Sequence, residues 1–262
     1  MCVELAHRGP IFYRAAGMPG LSLELSAVRR TFAGGVAALD GVDLACAPGE
    51  FVALLGPSGC GKSTLLRIAA GLDAADSGTV ARGGDQLAFV FQDAHLLPWR
   101  DVLGNVALPL ELAGVAAAER VDRARDALTQ VGLADAATRL PSQLSGGMRM
   151  RASLARAVVT RPGLLLLDEP FAALDELGRQ HLDDVLRTLW RVSGMTILFV
   201  THSVAEAAYL ADRAIVFTKR PARIVLDHKL ALPAERSVAL REEPEFARET
   251  RILRSALEKG SA

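Results

Sequence analysis

The segment Gly56-Pro57-Ser58-Gly59-Cys60-Gly61-Lys62-Ser63-Thr64 constrains this chain more than any other. It fits the pattern GxxxxGK[ST] in full. Glycines at 56, 59 and 61 let the backbone curl tightly, with successive N–H groups turned inward as an anion nest. The apolar run before it, Phe51–Leu55, reads as a strand buried on both faces, as in a parallel sheet. Lys62 to about Ala70 reads as a helix closed by Gly71, whose N-terminal end adds partial positive charge to the loop. Lys62 is placed to reach β- and γ-phosphates, and Ser63 to offer a hydroxyl to Mg2+. Every residue from Gly56 to Thr64 is therefore assigned to nucleotide binding. A glycine-rich turn with a solvated lysine would not need the strand before it and the helix after it.

A second apolar run, Leu164–Leu167, ends in Asp168 and Glu169. At the C-terminal end of a buried strand, two acids face the crevice where open α/β sheets bind ligands. Asp168 is assigned to Mg2+, through water. Glu169 is assigned as the general base on the attacking water, a role worth about 10²–10⁴ in rate. Acids at a strand end also begin ordinary solvated turns, but the phosphate loop favours the chemical reading.

The rest of the chain alternates. Leu21–Val28, Leu39–Ala45, Leu87–Phe91, Ile197–Thr201 and Ala214–Phe217 read as strands, Glu176–Val192 and Ser203–Ala211 as helices. Such alternation implies a mainly parallel sheet. Residues 93–160 read as an inserted helical lobe, with a solvated helix at Ala113–Gly132, a loop at Pro141–Met148 and a helix from Arg149 to Thr160 that Pro162 ends. The main domain is expected over 21–232. A charged, solvated helical tail is expected over 233–262, and a disordered extension or misassigned start before about residue 20.

Composition removes several classes. Lys+Arg and Asp+Glu are 30 each, so the formal charge is +0 and the basic excess of a nucleic-acid binder is missing. Aromatics are 5% of the chain, so Ala, Leu and Val must fill the core. Cys2, Cys46 and Cys60 have no CxxC spacing, which argues against zinc or a disulfide framework and for a reducing compartment. Cys60 is read as a small filler of its loop rather than a redox sensor. No apolar run reaches the roughly 18–20 residues of a membrane span. The N-terminus has no apolar core of a secretory signal. The chain is expected in the cytoplasm, meeting a membrane only through a partner.

Leu144-Ser145-Gly146-Gly147-Met148 lies between the loop and the two acids. Its serine, its exposed glycine amides and the helix that follows make a second anion site in a chain that already has one. In order and spacing it resembles the LSGGQ signature of ATP-binding cassette (ABC) ATPases, a resemblance covering about residues 21–220. It implies a P-loop NTPase core of α/β class with a mainly parallel sheet, a small antiparallel β subdomain and the inserted helical lobe. It also implies that Ser145, Gly146 and Gly147 cap the γ-phosphate held by a second copy, in a head-to-tail homodimer that sandwiches two ATP. A simple helix cap is the other reading. Met148 and Met150 stand where the family often has glutamine, and methionine cannot supply an amide's hydrogen bonds.

The same resemblance carries over further positions. Gln92 resembles the glutamine that touches Mg2+ or water and senses the permease, and is assigned to catalysis and metal. His202 resembles the switch histidine on the γ-phosphate. Asp175, in Ala172-Ala173-Leu174-Asp175, resembles the aspartate crossing the dimer interface beside the nucleotide. Phe32 resembles the aromatic stacked on adenine, a contact worth about 1–3 kcal/mol. Leu96, Leu97, Pro98 and Trp99 form an apolar cluster suited to docking, where the family seats a helix of the membrane permease. FQDAHLLPWRDVLGNV, PFAALDE and HSVAEAAYLADR are most similar to importers of the nitrate, sulfonate and taurine type. Those serve a permease dimer and, indirectly, a solute-binding protein, from the cytoplasmic face of the inner membrane. An exporter or lipoprotein-release cassette is the alternative. A non-transport cassette acting on DNA or ribosomes is disfavoured by the single cassette and zero net charge.

Overall fold

The structure is a computed structural model and describes residues 20–172 and 174–261. The expectation for the first residues of the chain, and Ala173 of the interface loop, lie outside the described residues.

The strands are β1 (Leu23–Phe32), β2 (Val36–Cys46), β3 (Phe51–Leu55), β4 (Ser77–Arg82), β5 (Leu87–Val90), β6 (Leu164–Asp168), β7 (Thr196–Val200), β8 (Arg213–Phe217) and β9 (Ile224–Lys229). The helices are α1 (Lys62–Ala70), α2 (Val102–Leu112), α3 (Ala117–Gln130), α4 (Gly146–Val158), α5 (Glu176–Ser193), α6 (Val204–Leu210) and α7 (Pro244–Ser261). A six-stranded sheet runs β5-β6-β7-β3-β8-β9. It is parallel except for β9, which pairs antiparallel with β8. A separate antiparallel sheet runs β2-β1-β4.

β3 and β7 are buried at every residue, as continuous apolar strands covered on both faces must be. The pleat sends Phe51, Ala53 and Leu55 into one core and Val52 and Leu54 into another. The first core holds the apolar faces of α2 through α7. The second holds α1 and the inner face of the antiparallel sheet. Loop, acids and histidine therefore sit on a rigid partition between two packed layers.

Several elements depart from the sequence reading. β4 (SGTVAR) is exposed at every residue but the half-buried Val80, so it carries no apolar alternation. Gly78 fits there because a Cβ would lie 2.5 Å from Ser26 O. β9 alternates half-buried and exposed residues along a sheet edge. α4 begins at Gly146, earlier than Arg149, because Ser145 caps it. The tail expected to be solvated is corrected: Phe246, Leu253 and Ala256 of α7 are buried in the first core, and Glu249 Oε2 meets His228 Nε2 at 2.7 Å. Their helical spacing makes a real apolar face, hidden in the sequence by the charges between.

Candidate nucleotide site

Three neighbouring strand ends build the site. Asp168 closes β6 opposite Val200 of β7, and Val200 stands opposite Leu54 of β3. The turns beyond are tied together: Glu169 N–H donates to Val200 O at 3.0 Å, and Thr201 N–H to Leu54 O at 3.1 Å. Phosphate loop, carboxylates and His202 thus leave the sheet side by side, at the edge where parallel sheets place ligands.

The loop needs its glycines. Gly59 and Gly61 sit at φ 71° and 124°, and a Cβ on Gly61 would lie 2.8 Å from Ala38 O of β2. A Cβ on Gly56 would lie 2.9 Å from Cys60 Sγ, so Cys60 packs inside the loop, 1% exposed. No side chain caps the start of α1, and its first turn carries no acid. Its N-terminal amides are thus left to an incoming anion. Lys62 is buried, its Nζ donating to Gly56 O at 2.8 Å and Pro57 O at 3.0 Å. The buried ammonium folds back over the carbonyls of its own loop.

Ser63 Oγ donates to Asp168 Oδ1 at 2.7 Å. Burial raises the Asp168 carboxyl above its usual range, and the Ser63 hydrogen bond opposes that rise. A carboxylate and a hydroxyl this close, one of them a partly buried acid, suit a hard cation such as Mg2+. Among the described residues no group of three or more His, Cys, Asp or Glu could hold a metal. That does not conflict with Mg2+, which uses one or two protein oxygens together with substrate phosphates. Glu169 takes φ 45°, a conformation that costs a non-glycine residue about 1–3 kcal/mol and clusters at functional turns. His202 Nδ1 lies 3.4 Å from Glu169 Oε2.

Thr201 and Glu206, which the sequence reading did not single out, brace the turn that carries that histidine. Thr201 Oγ1 donates to Glu206 Oε2 and accepts from Ser203 N–H at 2.9 Å. Glu206 Oε1 sits 3.1 Å from Arg179 Nε of α5. The signal was faint, since a glutamate in a short helix reads as solvated.

The remaining assigned residues are placed more loosely. Phe32 ends β1 beside the loop-contacting strand β2, 42% exposed, with the Arg30 guanidinium 5.3 Å from its ring. Gln92 is exposed just beyond β5, whose Val90 pairs with Leu167. Asp175 caps α5, its Oδ1 accepting from Gly178 N–H at 2.8 Å. Ser145 is exposed and caps α4, its Oγ accepting from Met148 N–H at 3.3 Å. Gly146 is exposed beside it, Gly147 half-buried. α4 packs in the core opposite to that of α1. Met150 is 6% exposed in that core, so its apolar side chain has a packing role. Leu96 and Leu97 are half-buried, whereas Trp99 is 73% exposed. Asn105, fully buried, pins the segment by accepting from Leu97 N–H at 2.7 Å and donating to the carbonyls of Leu97, Arg100 and Asp101.

Residues 39–172, from within β2 to just past the two acids, match the ABC transporter family. The chain belongs to the ABC transporter family. Among its relatives, the aliphatic sulfonates import ATP-binding protein SsuB of Cupriavidus necator is 46% identical over 255 residues, covering 93% of this chain and 80% of that one. The SsuB protein of a Mycobacterium species is 51% identical over 210 residues, covering 80% and 84%. The solved dimeric structure of MJ0796, a bacterial ABC transporter cassette, superposes with a TM-score of 0.73 at 32% identity, covering 80% of this chain and 100% of that one. A post-hydrolysis dimer of the same cassette with ADP and phosphate superposes at 0.72, with 32% identity, 80% of this chain and 100% of that one. The ABC cassette fold is thus that of this chain. Among the described residues no helix is long and apolar enough to cross a membrane.

Proposed function

We propose that this chain is the ATP-hydrolysing subunit of an importer for a small sulfonate-type solute, working as a homodimer beneath a membrane permease at the cytoplasmic face of the inner membrane. The observation that carries the ATPase reading is the convergence of Lys62, Ser63, Asp168, Glu169 and His202 on three adjacent strand ends. Importer direction and solute class rest on likeness to proteins named for aliphatic sulfonate import.

In this reading the glycine loop and the start of α1 hold the phosphates, and Lys62 exchanges its two carbonyls for phosphate oxygens. Phe32 offers a face to the base. Ser63 and Asp168, with Gln92 nearby, hold Mg2+, which when bound neutralises charge on the β- and γ-phosphates. Glu169 orients and deprotonates the attacking water. His202 holds Glu169 and contacts the γ-phosphate, and Thr201 with Glu206 acts as its positioning pair. Ser145, Gly146 and Gly147 close the pocket of the other copy, with Asp175 at the interface. The 96–99 segment, ending in the exposed Trp99, docks the permease, and a solute-binding protein acts only through that permease.

The test is co-expression with a candidate permease. Co-purification, with turnover that rises when solute and binding protein are added, is the expected result. Full-rate hydrolysis by a strict monomer that ignores the permease would sink the proposal.

A further inference from the structure

Arg179 touches two parts of the site that the sequence keeps apart. It lies in the first turn of α5, where its N–H donates to Asp175 O at 2.9 Å, so the residue that caps the helix also fixes its backbone. Its side chain reaches both ways. Nη2 donates to Leu174 O at 3.2 Å, in the loop between Glu169 and Asp175. Nε lies 3.1 Å from Oε1 of Glu206 on α6 without aiming its N–H there, so that contact is ionic. Nη1 is 3.7 Å from the exposed Glu176.

Glu206 does not serve its own helix alone. Ser203 caps α6 and accepts from Glu206 N–H at 3.2 Å. In an ordinary capping box the glutamate returns that bond by accepting from the N–H of the cap. Here the Ser203 N–H goes to Thr201 Oγ1 at 2.9 Å, Thr201 gives its hydroxyl to Glu206 Oε2, and the other carboxylate oxygen faces Arg179. Burial raises the Glu206 carboxyl above its usual range, opposed by the Thr201 hydrogen bond and the Arg179 charge. The residues on either side of His202 are thus tied to a carboxylate that is 5% exposed, while the His202 side chain itself is 55% exposed. Leu174 also lies against the second anion site, since a Cβ on Gly147 would touch its Cδ2 at 3.4 Å. One rigid guanidinium plane therefore fixes the spacing between the loop beside Gly147 and the turn that carries His202.

Resting on the ATPase-dimer reading above, we propose that Arg179 is a positioning residue for hydrolysis, holding the His202 turn, through Glu206 and Thr201, against the Leu174 loop.

Two variants of the full chain separate positioning from packing. Arg179→Lys keeps a charge beside Glu206 but lacks the planar fork that also reaches Leu174. Arg179→Met combined with Glu206→Gln strands no buried charge, and glutamine still accepts the Thr201 hydroxyl. ADP affinity, ATP turnover and the NMR resonance of the His202 ring, assigned by its loss in His202→Gln, are measured in each. The expected result is ADP affinity within about twofold of the parent chain and turnover lowered about fivefold or more, the pattern of an interaction made in the transition state. The His202 resonance is expected to shift in the double variant, and that of His228, against α7, to stay. If the double variant fails to fold, Arg179→Lys decides. A smaller fall in turnover in either folded variant, an unmoved His202 resonance, or a parallel loss of ADP affinity overturns the positioning role. A parent chain that hydrolyses no ATP, or does so at full rate as a monomer, would instead sink the reading beneath it.

Discussion

The chain presents two helix starts suited to anions, and they are built in opposite ways. α1 begins in a loop of glycines, with Lys62 buried against its carbonyls and Ser63 bonded to Asp168 on a neighbouring strand. α4 begins at an exposed Ser145 whose hydroxyl, among the described residues, accepts from the Met148 N–H of its own first turn. The first is braced by two packed cores. The second belongs to a helix buried on its far side and open at its tip. In the proposed dimer the second start serves a ligand held by the other copy, since a chain with its own phosphate cradle has no internal use for another.

The largest expected effect tests the finished half. Glu169→Gln removes the proposed base and leaves the cradle, so ATP affinity stays within a few-fold while turnover falls by about 10²–10⁴. Steady-state hydrolysis beside nucleotide titration separates the two quantities, and unchanged turnover would remove Glu169 from the chemistry. Next comes the open half. As a helix cap alone, Ser145→Ala costs about 1 kcal/mol of stability. As part of a composite pocket it also slows turnover at least tenfold, about 1.4 kcal/mol in the barrier. A stability loss with full ATPase activity would reduce Ser145 to a cap and dissolve the comparison.

A smaller effect is expected outside both halves. Trp99 is 73% exposed, so Trp99→Ala should change folding stability by no more than about 0.5 kcal/mol. Permease association, measured by pull-down, should weaken while nucleotide affinity holds. Equal loss of both would mark Trp99 as packing rather than contact surface.

The last test concerns pH. Burial raises the Asp183 carboxyl from 3.8 to about 7, against the pull of Arg241. The folded chain therefore keeps a proton that the unfolded chain releases, and stability falls as pH rises between those two values and levels off above them. Asp183→Asn should flatten that part of a denaturation profile without changing the pH dependence of ATP binding. An unchanged slope would assign the proton elsewhere.

What was legible in the sequence was local. Strand, glycine loop and helix are contiguous, and each piece demands the next, so residues 51–71 read correctly from pattern alone. The two acids were legible because an apolar strand delivers them. β4 was not, since an almost wholly exposed strand has no apolar alternation to detect. α7 showed its charges and hid its buried face, because Phe246, Leu253 and Ala256 are spaced by polar residues. The Thr201–Glu206 brace stayed hidden because burial of Glu206 depends on α5 packing over it through Arg179.

Light scattering on the Glu169→Gln chain, with and without ATP, tests the shared pocket most directly. The expected outcome is a mass that doubles with ATP and returns to that of one chain when Ser145→Arg is added in the same polypeptide. A single-chain mass at saturating ATP, or a doubled mass indifferent to Ser145→Arg, would contradict it.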